Sequence, residues 1–218
     1  MKFSTKFFIF LMTSALAAPT MAETFRPYRD TKAPPLSFNI GLGISHGGEE
    51  LNGITIQPVG VSTYYSEDKV NLGGEQSYFI GGILSVSMNS ELWFSYGKME
   101  DDVNTKGNYV SVSDPNLDLN LKHDRYEFMY FWKNNNFRLG GGFIMDKNIV
   151  YTETYTGGKD TYDFDDAKGW GLGAGLDMPF NENGAALHFD FRYIKMNYHI
   201  NDIELNANSI GYFVSASF

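Results

Sequence analysis

The chain has 218 residues, enough for one or at most two domains, with 17 Lys and Arg against 26 Asp and Glu, a formal charge of −9. That balance argues against a nucleic-acid partner, which calls for a concentrated basic patch. The absence of cysteine excludes a disulfide scaffold, a thiol nucleophile and a cysteine metal site.

The first residues carry an export pattern. Lys2 and Lys6 precede an apolar run from Phe7 to Leu16, followed by small residues. The run is too short for a spanning helix, which needs roughly 20 residues, and matches the apolar core of a secretory signal peptide. Residues 1–22 are therefore expected to be removed, with Thr20-Met21-Ala22 as the preferred cleavage site and Ala15-Leu16-Ala17 as the alternative. Removing Lys2 and Lys6 from the 17 basic residues leaves 15 against 26 acidic ones, so the remaining chain has a formal charge of −11. Residues 23–35 contain three prolines (Pro27, Pro34, Pro35) and read as an extended lead-in.

From Leu36 a period of two sets in and recurs to Phe218. Leu36, Phe38, Ile40, Leu42 and Ile44 alternate with Ser37, Asn39, Gly41, Gly43 and Ser45, a strand pattern with no competing helical spacing. A second segment, about Gln76 to Val86, places Tyr78, Ile80, Leu84 and Val86 on one face. After a tight turn at Met88-Asn89-Ser90, Leu92, Phe94 and Tyr96 alternate with Glu91, Trp93 and Ser95. In the fourth segment the apolar phase switches, from odd at Leu117, Leu119 and Leu121 to even at Tyr126, Phe128, Tyr130 and Trp132. A bulge near His123-Asp124 or a strand extension above the membrane accounts for this equally well. The polar turn Lys133-Asn134-Asn135-Asn136 leads to the row Phe137, Leu139, Gly141, Phe143 and Met145. The sixth row is Trp170, Leu172, Ala174, Leu176, Met178 and Phe180, interleaved with Gly171, Gly173, Gly175 and Asp177. After the turn Asn181-Glu182-Asn183-Gly184 comes Leu187, Phe189, Phe191 and Tyr193 against His188, Asp190 and Arg192. The eighth row is Ile210, Tyr212, Val214, Ala216 and Phe218.

Short turns alternate with long, polar connections, the asymmetry of outer-membrane barrels with short periplasmic turns and longer outer loops. The expected fold is thus all-β, an eight-stranded antiparallel transmembrane β-barrel over 36–218. Alternation alone does not separate it from a soluble barrel. One row, however, is almost purely Leu, Ile, Val, Phe, Tyr, Trp and Met. The other carries Gly, Ser and Asn together with Glu91, Arg125, Glu127, Arg138, Asp177, His188, Asp190 and Arg192. An eight-stranded barrel is just wide enough inside for side chains, and opposite charges enclosed there should pair. These eight residues are the expected lumen charge network, with the glycines making room for Trp93 and the arginines.

The last strand, with Tyr212, Val214, Ala216 and the aromatic Phe218 at alternate positions, resembles the terminal strand of Gram-negative outer-membrane proteins. That resemblance implies an assembly signal read by the barrel-assembly machinery. In size and layout the chain is similar to the small outer-membrane barrels, the OmpA transmembrane domain, OmpX and OmpW. The segments GLGISHGGEEL and FRLGGGF resemble a loosely defined group of uncharacterised outer-membrane β-barrel proteins. The resemblance implies a fold and an outer-membrane location, with lipid and lipopolysaccharide as surroundings, and a monomer. A structural or surface-loop role without catalysis is expected, with passive transport of small hydrophobic molecules and lipid A modification as alternatives. Lipid A deacylases, as a family, use a His-x-Ser pair; the nearest feature here is His199-Ile200-Asn201, and an amide cannot replace a hydroxyl nucleophile. No cofactor is expected. Acidic stretches at Glu49-Glu50, Glu67-Asp68, Glu100-Asp101-Asp102 and Asp160 to Asp166 read as solvated charge. Asp163, Asp165 and Asp166 are close enough in sequence to share a divalent ion, which could bridge the loops to lipopolysaccharide phosphates.

Overall fold

The structure is a computed structural model that describes residues 36–52, 69–106, 116–155, 158–180 and 185–218. The expected signal peptide (1–22), the lead-in (23–35), the 181–184 turn and the acidic pair Glu67-Asp68 lie outside the described residues. The strands in chain order are β1 (Leu36–Gly47), β2 (Glu50–Asn52), β3 (Lys69–Asn71), β4 (Gln76–Ser87), β5 (Ser90–Lys106), β6 (Asn116–Asn134) and β7 (Phe137–Tyr155). They continue with β8 (Gly158–Asp163), β9 (Ala167–Pro179), β10 (Ala186–Lys195), β11 (Asn197–Ile200), β12 (Ile203–Asn206) and β13 (Ser209–Ser217).

Eight of them close on themselves in the order β1-β4-β5-β6-β7-β9-β10-β13, every pairing antiparallel. The ring is sealed between the first and last strands, where Phe38 and Phe218 exchange both backbone hydrogen bonds at 3.0 Å. Closure leaves no strand edge unpaired within a bilayer, the condition lipid imposes on β-structure. Local sequence sets the turns. Asn134 pairs with Phe137 around Asn135, which takes φ 55°, the left-handed geometry that asparagine tolerates and a two-residue hairpin needs.

The period of two then sorts side chains onto two faces. Phe38, Phe128, Leu139, Leu172 and Tyr212 are exposed on the outside, while Arg125, Arg138, Asp190 and Arg192 are buried within. Outward aromatics border the apolar band at both ends. Tyr78, Tyr96, Tyr126, Trp170 and Tyr193 lie toward the long connections, and Trp132, Phe137, Phe180 and Phe218 toward the turns. Apolar outside, charged inside and aromatic at the borders is the arrangement of a membrane-spanning barrel.

Beyond the upper aromatics the polarity inverts. The long connections are largely strand, not open loop: β5 and β6 stay paired to Lys106 and Asn116, β8 folds back on β7, and β2–β3 and β11–β12 form hairpins. Beneath them lies an apolar core that includes Val70, Leu72, Leu119, Leu121, Ile149, Tyr151, Met196 and Tyr198. This inversion explains the phase switch in β6. Its described odd-numbered residues are buried all the way from Leu119 to Lys133; water replaces lipid outside, so the apolar row moves inside. The extra residue is on the facing strand. Lys122 pairs with Val150 and Asp124 with Lys147, so His123 stands opposite both Asn148 and Ile149. Asn148 takes φ 52°. The bulge thus lies at the expected height but in β7.

Candidate functional site: the charged lumen

All eight residues expected in the lumen are buried, from strands β5, β6, β7, β9 and β10. They fall into two clusters, one nearer the turns and one beneath the outer core.

The turn-side cluster is centred on Arg138, whose side chain is inaccessible to solvent. Its Nε and Nη2 donate to Asp190 Oδ1 at 3.0 and 2.7 Å, and its Nη1 donates to Asp177 Oδ1. Its guanidinium lies 4.0 Å over the Trp93 ring and 5.3 Å from that of Phe131, a stacked position that a cation gains from when water is excluded. Trp93 Nε1 donates to Glu91 Oε2 at 3.0 Å, and Lys133 Nζ reaches Glu91 Oε1 and Asp177 Oδ2, both at 2.7 Å. His188 bridges Asp177 Oδ1 and Ser217 Oγ, each at 2.8 Å. Arg192 carries the chain of pairs across the barrel, donating to Glu127 on β6 and, at 3.1 Å, to Asp190 Oδ2. Its guanidinium stands 4.6 Å over Phe213. Space for this comes from glycine: a Cβ on Gly175 would collide with Asp190 Oδ1 and sit 2.9 Å from Arg138 Nε.

The second cluster joins the membrane segment to the outer core. Arg125 grips Asp146 with two hydrogen bonds, Nε to Oδ1 at 2.8 Å and Nη2 to Oδ2 at 2.7 Å. His123 Nε2 lies 3.2 Å from Asp146 Oδ2 and 3.3 Å from Glu75 Oε1, and Arg125 Nη1 lies 3.5 Å from Glu75 Oε2. Tyr198, from β11 above, donates to Asp146 Oδ2 at 2.7 Å. Glu75 precedes β4, outside the membrane-spanning segments. Burial pushes its carboxyl pKa above the usual carboxylate range, against the pull of His123 and Arg125. Burial and the Asp146 carboxylate likewise hold the Tyr198 hydroxyl well above its ordinary value.

Sequence reasoning missed Glu75, His123, Lys133, Asp146 and Tyr198 as members of these clusters. Lys133 was expected in the polar turn, yet it shares the odd, inward parity of Arg125 and Glu127 on β6 and is buried. Parity would also have found Asp146, which shares the even numbering of Arg138 on β7. Tyr198 lies above the membrane, where the inside is apolar, and no parity argument reached it.

Elsewhere the candidates separate. His46 and His199 are exposed. His199 sits on the β11–β12 hairpin, whereas the Ser209 hydroxyl is buried in β13. Asp163, Asp165 and Asp166 are exposed, and among the described residues no group of three acidic or histidine side chains is placed to hold a metal ion. Asp166 instead pairs with Lys147 at 3.2 Å.

Fold and lumen together define a small membrane-spanning β-barrel with a packed, charge-paired interior. No family model matches the chain, and no curated protein matches it in sequence. Solved structures that match it include Ail, the attachment invasion locus protein of Yersinia pestis, in complex with the heparin analogue sucrose octasulfate. That match has 12% identity and a TM-score of 0.47, covering 84% of this chain and 97% of that one. Neisserial surface protein A matches at 11% identity over 84% of this chain and 95% of that one, TM-score 0.45. The outer-membrane protein OprG of Pseudomonas aeruginosa matches at 12% identity over the same shares, TM-score 0.44. The fold assignment rests on the strand pairing itself.

Proposed function

We propose that this chain is an integral outer-membrane barrel whose lumen is sealed by its ion pairs and whose work is done at the cell exterior. The role is structural or one of interaction through the surface loops, without catalysis. The observation that carries this is the burial of Arg138, Asp190 and Arg192 in one connected network running from β7 through β10 to Glu127 on β6. Charges so enclosed are tolerable only when paired, and a set that pairs across the barrel fills the path a solute would take. The apolar core above Arg125 and Asp146 adds a second seal. The outward apolar row supplies the membrane, and the signal peptide proposed for residues 1–22 supplies the route to it.

Heat-dependent migration of the membrane-fraction protein on a denaturing gel tests the location. A folded barrel shifts on boiling and sediments with outer membranes; recovery in the periplasmic soluble fraction would overturn the reading. Planar-bilayer recording tests the seal. The purified protein should give no stepwise conductance, and stable open-channel steps would instead support passive transport. A change in lipid A mass on deletion of the gene would support the enzyme alternative.

A further inference from the structure

Among the described residues, four outward lysines gather at one border of the apolar band, while Lys122 and Lys159 are exposed farther out. Going two residues beyond the upper outward row, Tyr96 is followed by Lys98 on β5 and Met145 by Lys147 on β7, with Asp124 between them on β6. On β9 Lys168 lies two residues from Trp170, and on β10 Lys195 follows Tyr193. The register keeps them together: Lys98 pairs with Asp124 and Asp124 with Lys147, Met145 pairs with Lys168, and Trp170 with Lys195. Lys98, Lys168 and Lys195 are exposed and form no ion pair among the described residues. At the opposite border, described outward positions carry no Lys or Arg, because Lys133 and Arg138 turn inward.

The same sector holds an apolar groove of about 870 Å³ on the outer face, running across β4, β5, β6 and β7. It is bordered by Ile80, Phe94, Tyr96, Phe128 and Phe143 and ends at Lys168. A hydrocarbon chain fits that lining, and a group of negative charge fits the lysines that crown it. Both demands meet in one kind of molecule.

We propose that the Lys98–Lys168–Lys195 collar and the groove beneath it form a docking site for an acylated, phosphorylated lipid of the outer leaflet. Phosphate rests on the exposed ammonium groups and one acyl chain lies along the groove. The proposal rests on the outer-membrane reading and names the partner of that surface. Each lysine near a charged lipid surface contributes a few-fold in affinity, so removing three should weaken binding on the order of 10-fold or more.

The test uses the full mature chain, refolded in dodecyl maltoside and titrated with diphosphoryl lipid A, with bound lipid counted by native mass spectrometry. The triple variant Lys98→Gln, Lys168→Gln, Lys195→Gln should lose at least about 10-fold in affinity, whereas Lys159→Gln on β8 should match the wild type. Dephosphorylated lipid A should bind as weakly to the wild type as the intact lipid does to the triple variant. Glucosamine phosphate and inorganic phosphate, which lack acyl chains, should not compete at equal concentration. The gel shift on boiling verifies that each variant is folded, and replacement of the three lysines by arginine should restore binding. Equal binding by the triple variant and the wild type would overturn the proposal, as would loss of phosphate dependence, an equal fall in Lys159→Gln or competition by free phosphate. Each of these can occur while the protein still fractionates with outer membranes, so failure here is separable from failure of the location.

Discussion

Replacing Arg138 by methionine asks whether the lumen is dry. Methionine keeps the apolar stem out to about the position of Nε but removes the hydrogen bonds Arg138 gives to Asp177 and Asp190 and the cation over Trp93. If the interior is packed as described, two carboxylates lose their shared partner where water cannot replace it. Breaking a buried pair in this way costs about 3–5 kcal/mol. Lys133 still reaches Asp177 and Arg192 still reaches Asp190, which places the expected loss at the lower end, about 3 kcal/mol. If the lumen were instead a hydrated channel, the same pairs would behave as exposed ones, worth about 0–1 kcal/mol. Urea unfolding of the protein refolded into lipid vesicles, followed by Trp fluorescence and extrapolated linearly, separates the two. The double variant Arg138→Met, Asp190→Asn should recover part of the loss, because it removes one stranded charge. A loss below about 1 kcal/mol for the single variant would refute the dry, paired interior.

Gly175→Ala should cost about 1–3 kcal/mol by overpacking, since the added methyl meets Asp190 and Arg138, and the same unfolding assay reads it. Glu75 gives a pH signature. Its carboxyl is raised in the folded state by burial, so the unfolded chain releases the proton first and the wild type loses stability as pH climbs from the ordinary carboxyl range through the raised value. Below that range both states hold the proton and no stability is lost. Glu75→Gln should therefore gain on the wild type as pH rises from the ordinary carboxyl range through the raised value; parallel stability curves for the two proteins would contradict it. At the last strand, Phe218→Ala keeps both backbone bonds to Phe38. It should cut the yield of folded barrel in cells severalfold while leaving the unfolding midpoint in vesicles nearly unchanged, if the terminal strand is an assembly signal.

The membrane segment was legible because lipid makes the rule simple. A bilayer demands an unbroken apolar row and the narrow lumen takes what remains, so eight rows and eight polar lumen residues could be read directly from residue parity. Above the aromatics the rule reverses, and the reversal is what concealed the outer core. Leu119 and Leu121 looked out of phase with Tyr126, yet both sets obey one strand whose outer solvent changes. The apolar lumen residues Phe131 and Phe213 were legible as inward but not as cation platforms, because the stacking of Arg138 and Arg192 on them depends on rotamers that a linear pattern does not encode. The lysine collar escaped notice for a different reason: Lys98, Lys168 and Lys195 are far apart in sequence, and only the register brings them to one level.

Everything turns on which face meets lipid. The chain has no cysteine, so single cysteines at Leu172 and Phe128 on the outer face and at Ser215 and Ser77 on the inner one can each carry one fluorophore. With the barrel in vesicles of bromine-labelled acyl chains, labels at 172 and 128 should be strongly quenched and those at 215 and 77 hardly at all. The reverse pattern, or no contrast between the two faces, would contradict the account.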